Sequence, residues 1–107
     1  MNIKPTPQLG AAMALVQLLQ EHPELPRAYW HVGAGLDLLD GHLYGDSVSF
    51  DSLRAYADAL GGSIRAGHTL EHNGQTLRSH RLVTVWRDVP VELRVSLPLA
   101  VSLERAA

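Results

Sequence analysis

A histidine-rich stretch, residues 68–80 (HTLEHNGQTLRSH), carries the side chains best suited to chemistry: three histidines, a glutamate and an arginine around one Asn-Gly pair. Imidazole and carboxylate groups bind zinc or transfer protons when several of them converge on one point. Asn-Gly between two strand-like segments predicts a two-residue hairpin turn. This turn places His72 opposite Gln75 and His68 opposite Ser79.

The hairpin geometry argues against a metal site. His68 and His72 share one face of a strand, but four residues of strand separate them by about 13 Å, whereas zinc-ligand bonds are near 2 Å. His80 points to the other face unless a β-bulge shifts the register. Such a bulge would bring His68 and His80 together, yet only two ligands would converge. We therefore predict a hairpin that carries histidines and no metal site, with His68 and His80 as the weaker site candidates.

The other reactive residue types form no catalytic pattern. Cysteine is absent, which excludes disulfides, thiolate zinc sites and thiol nucleophiles. No serine stands in Gly-x-Ser-x-Gly, no His-Glu-x-x-His occurs, and the glycines form neither a dinucleotide-binding nor a phosphate-binding loop. The sequence predicts that the protein is not an enzyme and has no cofactor.

Two arginines form a further candidate site. With Arg87 and Asp88 as a second turn, Arg81 faces Arg94 across a hairpin. Like charges directly opposite each other are unfavourable unless an acid or an anion lies between them. One resolution is Glu92 on the same face, or plain solvation. The other is a carboxylate or phosphate group of a partner.

Two valines extend the arginine pair into a surface. Val83 and Val85 alternate with the buried positions of their strand and so share the face of Arg81 and Arg94. An apolar patch beside charged groups is typical of a protein contact, and pairing with another copy would cover it. The predicted interaction surface is therefore Arg81, Val83, Val85 and Arg94.

The N-terminal half supplies two helices and two strands to position these residues. Apolar residues recur at helical spacing and predict a helix packed on a core and ended by two prolines. The stripe is broad, with Leu9, Met13, Val16 and Leu19 joined by Ala12, Leu15 and Leu18. Residues 28–32 then predict a short strand. Residues 36–44 contain Asp-Gly, a favoured hairpin turn, but a single strand pairing with 28–32 is preferred to a tiny hairpin. Residues 49–60 predict a second helix, which Gly-Gly ends.

The C-terminal half predicts strands at residues 64–72, 75–86 and 89–97. In the last of these the apolar residues occupy odd positions, which predicts one buried face. Pro90 lies on the other side and suggests an edge strand or the first residues of a strand. The predicted fold class is α+β, in which two helices pack on one face of an antiparallel sheet, in the order α-β-β-α-β-β-β with a C-terminal three-stranded meander. Residues 1–107 form a single domain.

Composition narrows the classes of partner. The net charge of −2 lacks the strongly basic balance of a dedicated nucleic-acid binder. No apolar run reaches the roughly 18 residues that a membrane span needs, and the apolar start lacks a signal-peptide cleavage site. We expect a cytoplasmic protein without membrane contact.

Three phrases carry a resemblance. Residues 18–26 (LLQEHPELP) followed by WHV, residues 56–62 (YADALGG) and residues 86–91 (WRDVPV) resemble small uncharacterised proteins of actinobacteria and of their phages or mobile elements. The resemblance covers most of the chain and implies a bacterial cytoplasmic setting. It implies no activity, because the shared stretches contain residues that end helices or form turns and no catalytic motif.

Three functions follow as expectations. The first is a small non-enzymatic protein-interaction or regulatory module that self-associates, as a homodimer, through its sheet. The alternative is a weak nucleic-acid or anion-binding protein that uses an arginine patch on the meander. The third is a histidine-dependent hydrolase or metalloprotein. The arginine patch comprises Arg65, Arg78, Arg81 and Arg94.

Overall fold

Two helices and five strands make up the fold, in the predicted order. The computed structural model describes residues 7–33, 38–44 and 49–99. The elements are α1 (Pro7–Glu21), β1 (Ala28–Val32), β2 (Leu39–Leu43), α2 (Phe50–Leu60), β3 (Ser63–His72), β4 (Gln75–Trp86) and β5 (Val89–Pro98). The α+β class and the C-terminal meander are confirmed. None of the helices in these residues is long and apolar enough to cross a membrane.

The sheet is mixed, which corrects the prediction of a purely antiparallel one. Its strand order is β1-β2-β5-β4-β3, and β2 pairs parallel to β5 while the other neighbours are antiparallel. β5 therefore lies in the middle of the sheet, and the suggestion that it is an edge strand is wrong. Pro90 is tolerated because it precedes Val91, where the pairing with β2 begins.

Both predicted hairpin turns are present. Asn73 and Gly74 have φ values of 53° and 75°, and Arg87 and Asp88 have 51° and 66°. Positive φ at both central residues matches the right-handed twist of the two strands that a short turn connects. The second turn sets the predicted register of β4 against β5, including Arg81 opposite Arg94.

Residues 39–43 form one strand, β2, which pairs antiparallel with β1 as preferred; residues 36 and 37 lie outside the described part. Gly41 stands opposite Trp30. A Cβ atom at position 41 would lie 2.6 Å from Leu93 Cδ1 and 2.9 Å from the Trp30 ring. The Asp-Gly pair lies within strand β2 and therefore forms no turn. Its glycine instead makes room for the indole ring of Trp30.

Both helices cover the same face of the sheet, as predicted. α2 contributes Leu53 and Tyr56 to a core with the apolar residues of β4 and β5, and α1 contributes Leu18. The Tyr56 hydroxyl donates a hydrogen bond to the Pro26 carbonyl oxygen, and burial raises the pKa of Tyr56 to about 12. Trp86 Nε1 donates to the Ala14 carbonyl oxygen at 3.0 Å and so ties β4 to α1.

The prediction that α1 packs on the core is confirmed, with Leu18 of the predicted stripe buried, but the orientation of the helix is only partly as predicted. Ala11, Ala14 and Leu18 are buried against the sheet. Four members of the predicted stripe face outward instead, and their side chains are 49–53% exposed: Leu9, Met13, Val16 and Leu19. The helix is apolar on both sides, so periodicity alone does not distinguish them.

Candidate functional site: the open sheet face and the outer face of α1

The sheet face opposite the helices, here called the open face, carries a row of polar side chains that crosses all five strands. Register pairs join each residue to the next one along this row. From β3 to β1 the row is Arg65, Arg81, Arg94, His42 and Tyr29. Three arginines thus stand side by side on neighbouring strands, which lie about 4.8 Å apart.

Two acids partly neutralise this row. Arg94 Nη2 donates to both carboxylate oxygens of Asp40, at 2.8 and 2.9 Å. This hydrogen bond is the main reason why the pKa of Arg94 is raised, and it keeps the guanidinium charged. Arg81 Nη1 lies 3.8 Å from Glu92. Acids on the protein itself therefore relieve the like-charge pair of Arg81 and Arg94, and Glu92 is one of them as expected.

Asp40 was missed by sequence reasoning. It reaches Arg94 because β2 runs parallel to β5, with Asp40 beside Glu92 and His42 beside Arg94. No local pattern in the sequence indicates this parallel pairing, since the two strands are separated by α2 and two further strands.

The four residues of the predicted interaction surface all lie on the open face. Arg81, Val83 and Val85 follow one another on β4, and Arg94 lies opposite Arg81. Val85 is 59% exposed, whereas Val83 is partly buried. Their shared face agrees with the predicted geometry, and their role as a contact surface stays a prediction.

A groove of about 560 Å³ adjoins this row at one edge of the sheet. The register of β3 against β4 shifts between Ala66 and Thr69, so Gly67 and His68 have no partner in the ladder. This is a β-bulge, which leaves backbone groups unpaired and bends the strand. The polar residues that line the groove come from three strands: Arg65, His68, Thr69, Ser79, Arg81 and Arg94.

The bulge overturns the predicted pairing of His68 with Ser79 and does not join His68 to His80. His80 pairs with Ala66, is 5% exposed and packs on the α2 side, where its ring lies 5.3 Å from that of Phe50. His68 instead lines the groove on the open face. Among the described residues no group of three or more potential ligands could hold a metal ion.

Arg78, the fourth member of the predicted arginine patch, stands apart from the other three. It follows the same parity along β4 as buried His80 and Leu82, and therefore faces the helix side. Its Nε atom is buried without a hydrogen-bond partner among the described residues. The arginine patch of the open face thus consists of Arg65, Arg81 and Arg94.

Comparison with known proteins assigns no family. No protein-family model matches the chain, and searches of curated proteins and of solved structures found no match. The resemblance to small actinobacterial and phage proteins therefore stays a prediction.

The outer face of α1 is the second candidate site, and sequence reasoning had assigned it to the core. Met13, Val16 and Leu19 project from it, each about half exposed. A surface helix normally carries polar or charged residues on its outer side. In α1 the only charged residue is Glu21, in the last turn, where it forms an ion pair with Arg87 at 2.5–2.7 Å.

His80 makes the stability of the protein depend on pH. Burial, and to a smaller extent the positive charge of Arg78, lower the pKa of His80 below its ordinary value of 6.5. The unfolded chain then binds a proton at pH values where the folded chain does not. The free energy of unfolding is therefore highest above pH 6.5 as far as His80 is concerned, and it falls as the pH drops from 6.5 towards the folded-state pKa.

Urea unfolding between pH 7.5 and pH 5 measures this contribution. We expect the loss of stability on acidification to be smaller in His80→Gln than in the wild type. His68→Gln, a change at an exposed histidine, should retain the wild-type dependence. An unchanged slope in His80→Gln would contradict the assignment.

Proposed function

We propose that this protein is a small non-enzymatic interaction module that self-associates through the outer face of α1. The observation that carries the proposal is a helix with large aliphatic side chains on both of its sides. Helices that are apolar all round are normally buried. One side of α1 is covered by the sheet, and a partner would cover the other.

The outer stripe has the geometry of a helix–helix contact. Leu9, Met13, Val16 and Leu19 follow one another at intervals of three or four residues, so they form one continuous ridge. α1 has 15 residues, which corresponds to a length of about 22 Å. Ridges of this kind pack into the groove of a second helix at an interaxial distance of about 8–10 Å.

A second copy of the chain is the partner that the charges of α1 favour. Two identical faces meet about a two-fold axis, so every charge on the face would approach its own copy. The α1 stripe carries no charge, and its neighbours Gln17 and Gln20 are neutral amides that can both donate and accept hydrogen bonds. Self-pairing therefore meets no like-charge repulsion.

The apolar surface area that the α1 stripe would bury predicts a weak and reversible dimer. Covering a half-exposed aliphatic side chain contributes about 1 kcal/mol, or roughly 6–8 kcal/mol for four side chains on each of two copies. Association costs at least about 4 kcal/mol in lost freedom of motion. At the upper value about 4 kcal/mol remains, so we propose a dissociation constant of about 1 mM for the stripe alone, and a micromolar value would need further contacts around it.

Analytical ultracentrifugation over about 0.05–2 mM chain tests the proposal, the range following from that affinity. We expect the mean mass of the wild type to rise with concentration above 11.7 kDa, the mass of one chain. Met13→Glu/Val16→Glu places two like charges on each face and should stay at the monomer mass. Both side chains are half exposed, so the variant should melt close to the wild-type temperature.

The predicted sheet surface supplies the matched control. Val85→Glu also places a charge at an exposed aliphatic position, but on the open face. It should self-associate like the wild type. If Val85→Glu is monomeric while the α1 variant still dimerises, the contact lies on the sheet and not on α1. A wild type that stays monomeric over the whole concentration range would refute self-association.

A further inference from the structure

We infer that the groove beside the β-bulge binds a small phosphate group, either free phosphate or a phosphate monoester, through Arg65 and Arg81. The groove lies on the open face, whereas the proposed dimer contact lies on α1, outside the sheet. The inference is therefore independent of self-association.

The groove holds an excess of positive charge. Arg65, Arg81 and Arg94 line it, and the acids next to this row are Asp40 and Glu92. Asp40 is engaged by Arg94 at 2.8 Å, while Glu92 lies 3.8 Å from Arg81, which is loose for an ion pair. Arg65 forms no ion pair with a carboxylate in the described part of the chain. Arg65 and Arg81 thus retain guanidinium donors for an external anion.

The two arginines are placed to converge on one group. Their Cα atoms are register partners on adjacent strands, and both side chains project to the same face beside the groove. Guanidinium forks match the oxygen geometry of phosphate and can each donate two hydrogen bonds. A phosphate dianion has the charge and the oxygen atoms to engage both forks, whereas one carboxylate is satisfied by a single fork.

Neutral groups complete the site. Ser79 and His68 also line the groove, His68 within the bulge and Ser79 on the neighbouring strand beside it. Gly67 and His68 lack ladder partners, so backbone groups at the bulge can bond to a ligand. The groove volume of about 560 Å³ accommodates a small phosphorylated molecule.

NMR titration of the full chain with sodium phosphate tests the site, with sodium chloride at matched ionic strength as the reference. We expect saturable shifts of the amides at residues 65–69 and 79–81, which sodium chloride does not produce. Arg65→Gln/Arg81→Gln should weaken phosphate binding at least tenfold. Both side chains are exposed, so this variant should keep the wild-type spectrum elsewhere.

Arg54→Gln is the matched control, because it removes an exposed arginine of α2 outside the groove. It should bind phosphate like the wild type. Equal weakening in Arg54→Gln, or an unchanged response in the groove variant, would show attraction by net charge alone and overturn the site. Failure to saturate below about 100 mM phosphate, an affinity of only about 1.4 kcal/mol, would overturn it as well.

Further ligands distinguish the source of the phosphate. Tighter binding of adenosine monophosphate than of inorganic phosphate would indicate a monoester, and equal binding would indicate the free ion; both results uphold the site. Steeply salt-dependent binding of a single-stranded oligonucleotide, without saturable binding of either small ligand, would instead favour a nucleic-acid surface. Met13→Glu/Val16→Glu should bind phosphate normally, so the two proposals fail separately.

Discussion

Gly62→Ala is expected to lower the free energy of unfolding by about 3 kcal/mol, because the change combines backbone strain with a steric clash. Gly62 has a φ of 99°, which alanine adopts only with strain. A Cβ atom there would overlap the Val83 carbonyl oxygen and lie 2.6 Å from Thr84 Cβ. Both obstacles belong to β4, so they cannot move without disturbing the sheet. The strand or the end of α2 must shift.

Gly61→Ala separates the two causes. Gly61 has a φ of 79°, and no atom lies within 4 Å of the Cβ position. Its replacement should therefore cost only the backbone strain, about 2 kcal/mol, because few residues other than glycine adopt a φ of 79° with a ψ of −169°. Urea unfolding followed by tryptophan fluorescence measures both variants. Equal losses at the two positions would show that the contact with β4 contributes nothing.

Gly41→Ala is the second large effect, with an expected loss of about 2 kcal/mol from overpacking. The methyl group would enter the space of Leu93 Cδ1 and of the Trp30 ring. Leu93 is fully buried, so it cannot swing into solvent. No positive φ is involved, and the loss therefore reports packing alone.

A double-mutant cycle with Leu93→Ala tests this explanation. Leu93→Ala alone should cost about 3 kcal/mol through the cavity that it leaves. In the double variant the new methyl group at position 41 occupies part of that cavity. The combined loss should therefore fall short of the sum by about 1 kcal/mol or more. Additive losses would mean that the two side chains do not compete for the same space.

The features that could be predicted from the sequence are local. Asn73-Gly74 and Arg87-Asp88 specify tight turns, and a turn fixes the register of the strands that it joins. The alternation of β5 then identifies its buried face, and Arg81 opposite Arg94 follows from simple counting. These steps need only residues on the two sides of one turn, at most 13 positions apart in the case of Arg81 and Arg94.

The features that were missed depend on residues far apart in the sequence, or on a helix that has apolar residues on both of its sides. The parallel pairing of β2 with β5 joins residues 39–42 to residues 91–94, and with it Asp40 to Arg94. The orientation of α1 was predicted only in part, because its apolar residues surround the helix and the sequence does not show which of them face the sheet. Ala11 and Ala14 lie on the buried side, because small residues let the helix approach the sheet closely. The β-bulge at Gly67 and His68 could be predicted only as an alternative, because no local residue pattern fixes its position.

The parallel pairing has a consequence for how the chain acquires its structure. β2 lies between β1 and β5, yet β5 follows it by about 50 residues and is the last strand of the sheet. During synthesis, α1, β1 and β2 emerge well before the strand that completes their hydrogen bonding, and such long-range closure is slow. Until residues 91–94 leave the ribosome, the N-terminal segment would expose apolar surface that β5 later covers. In that interval it would be prone to aggregation or would require a chaperone.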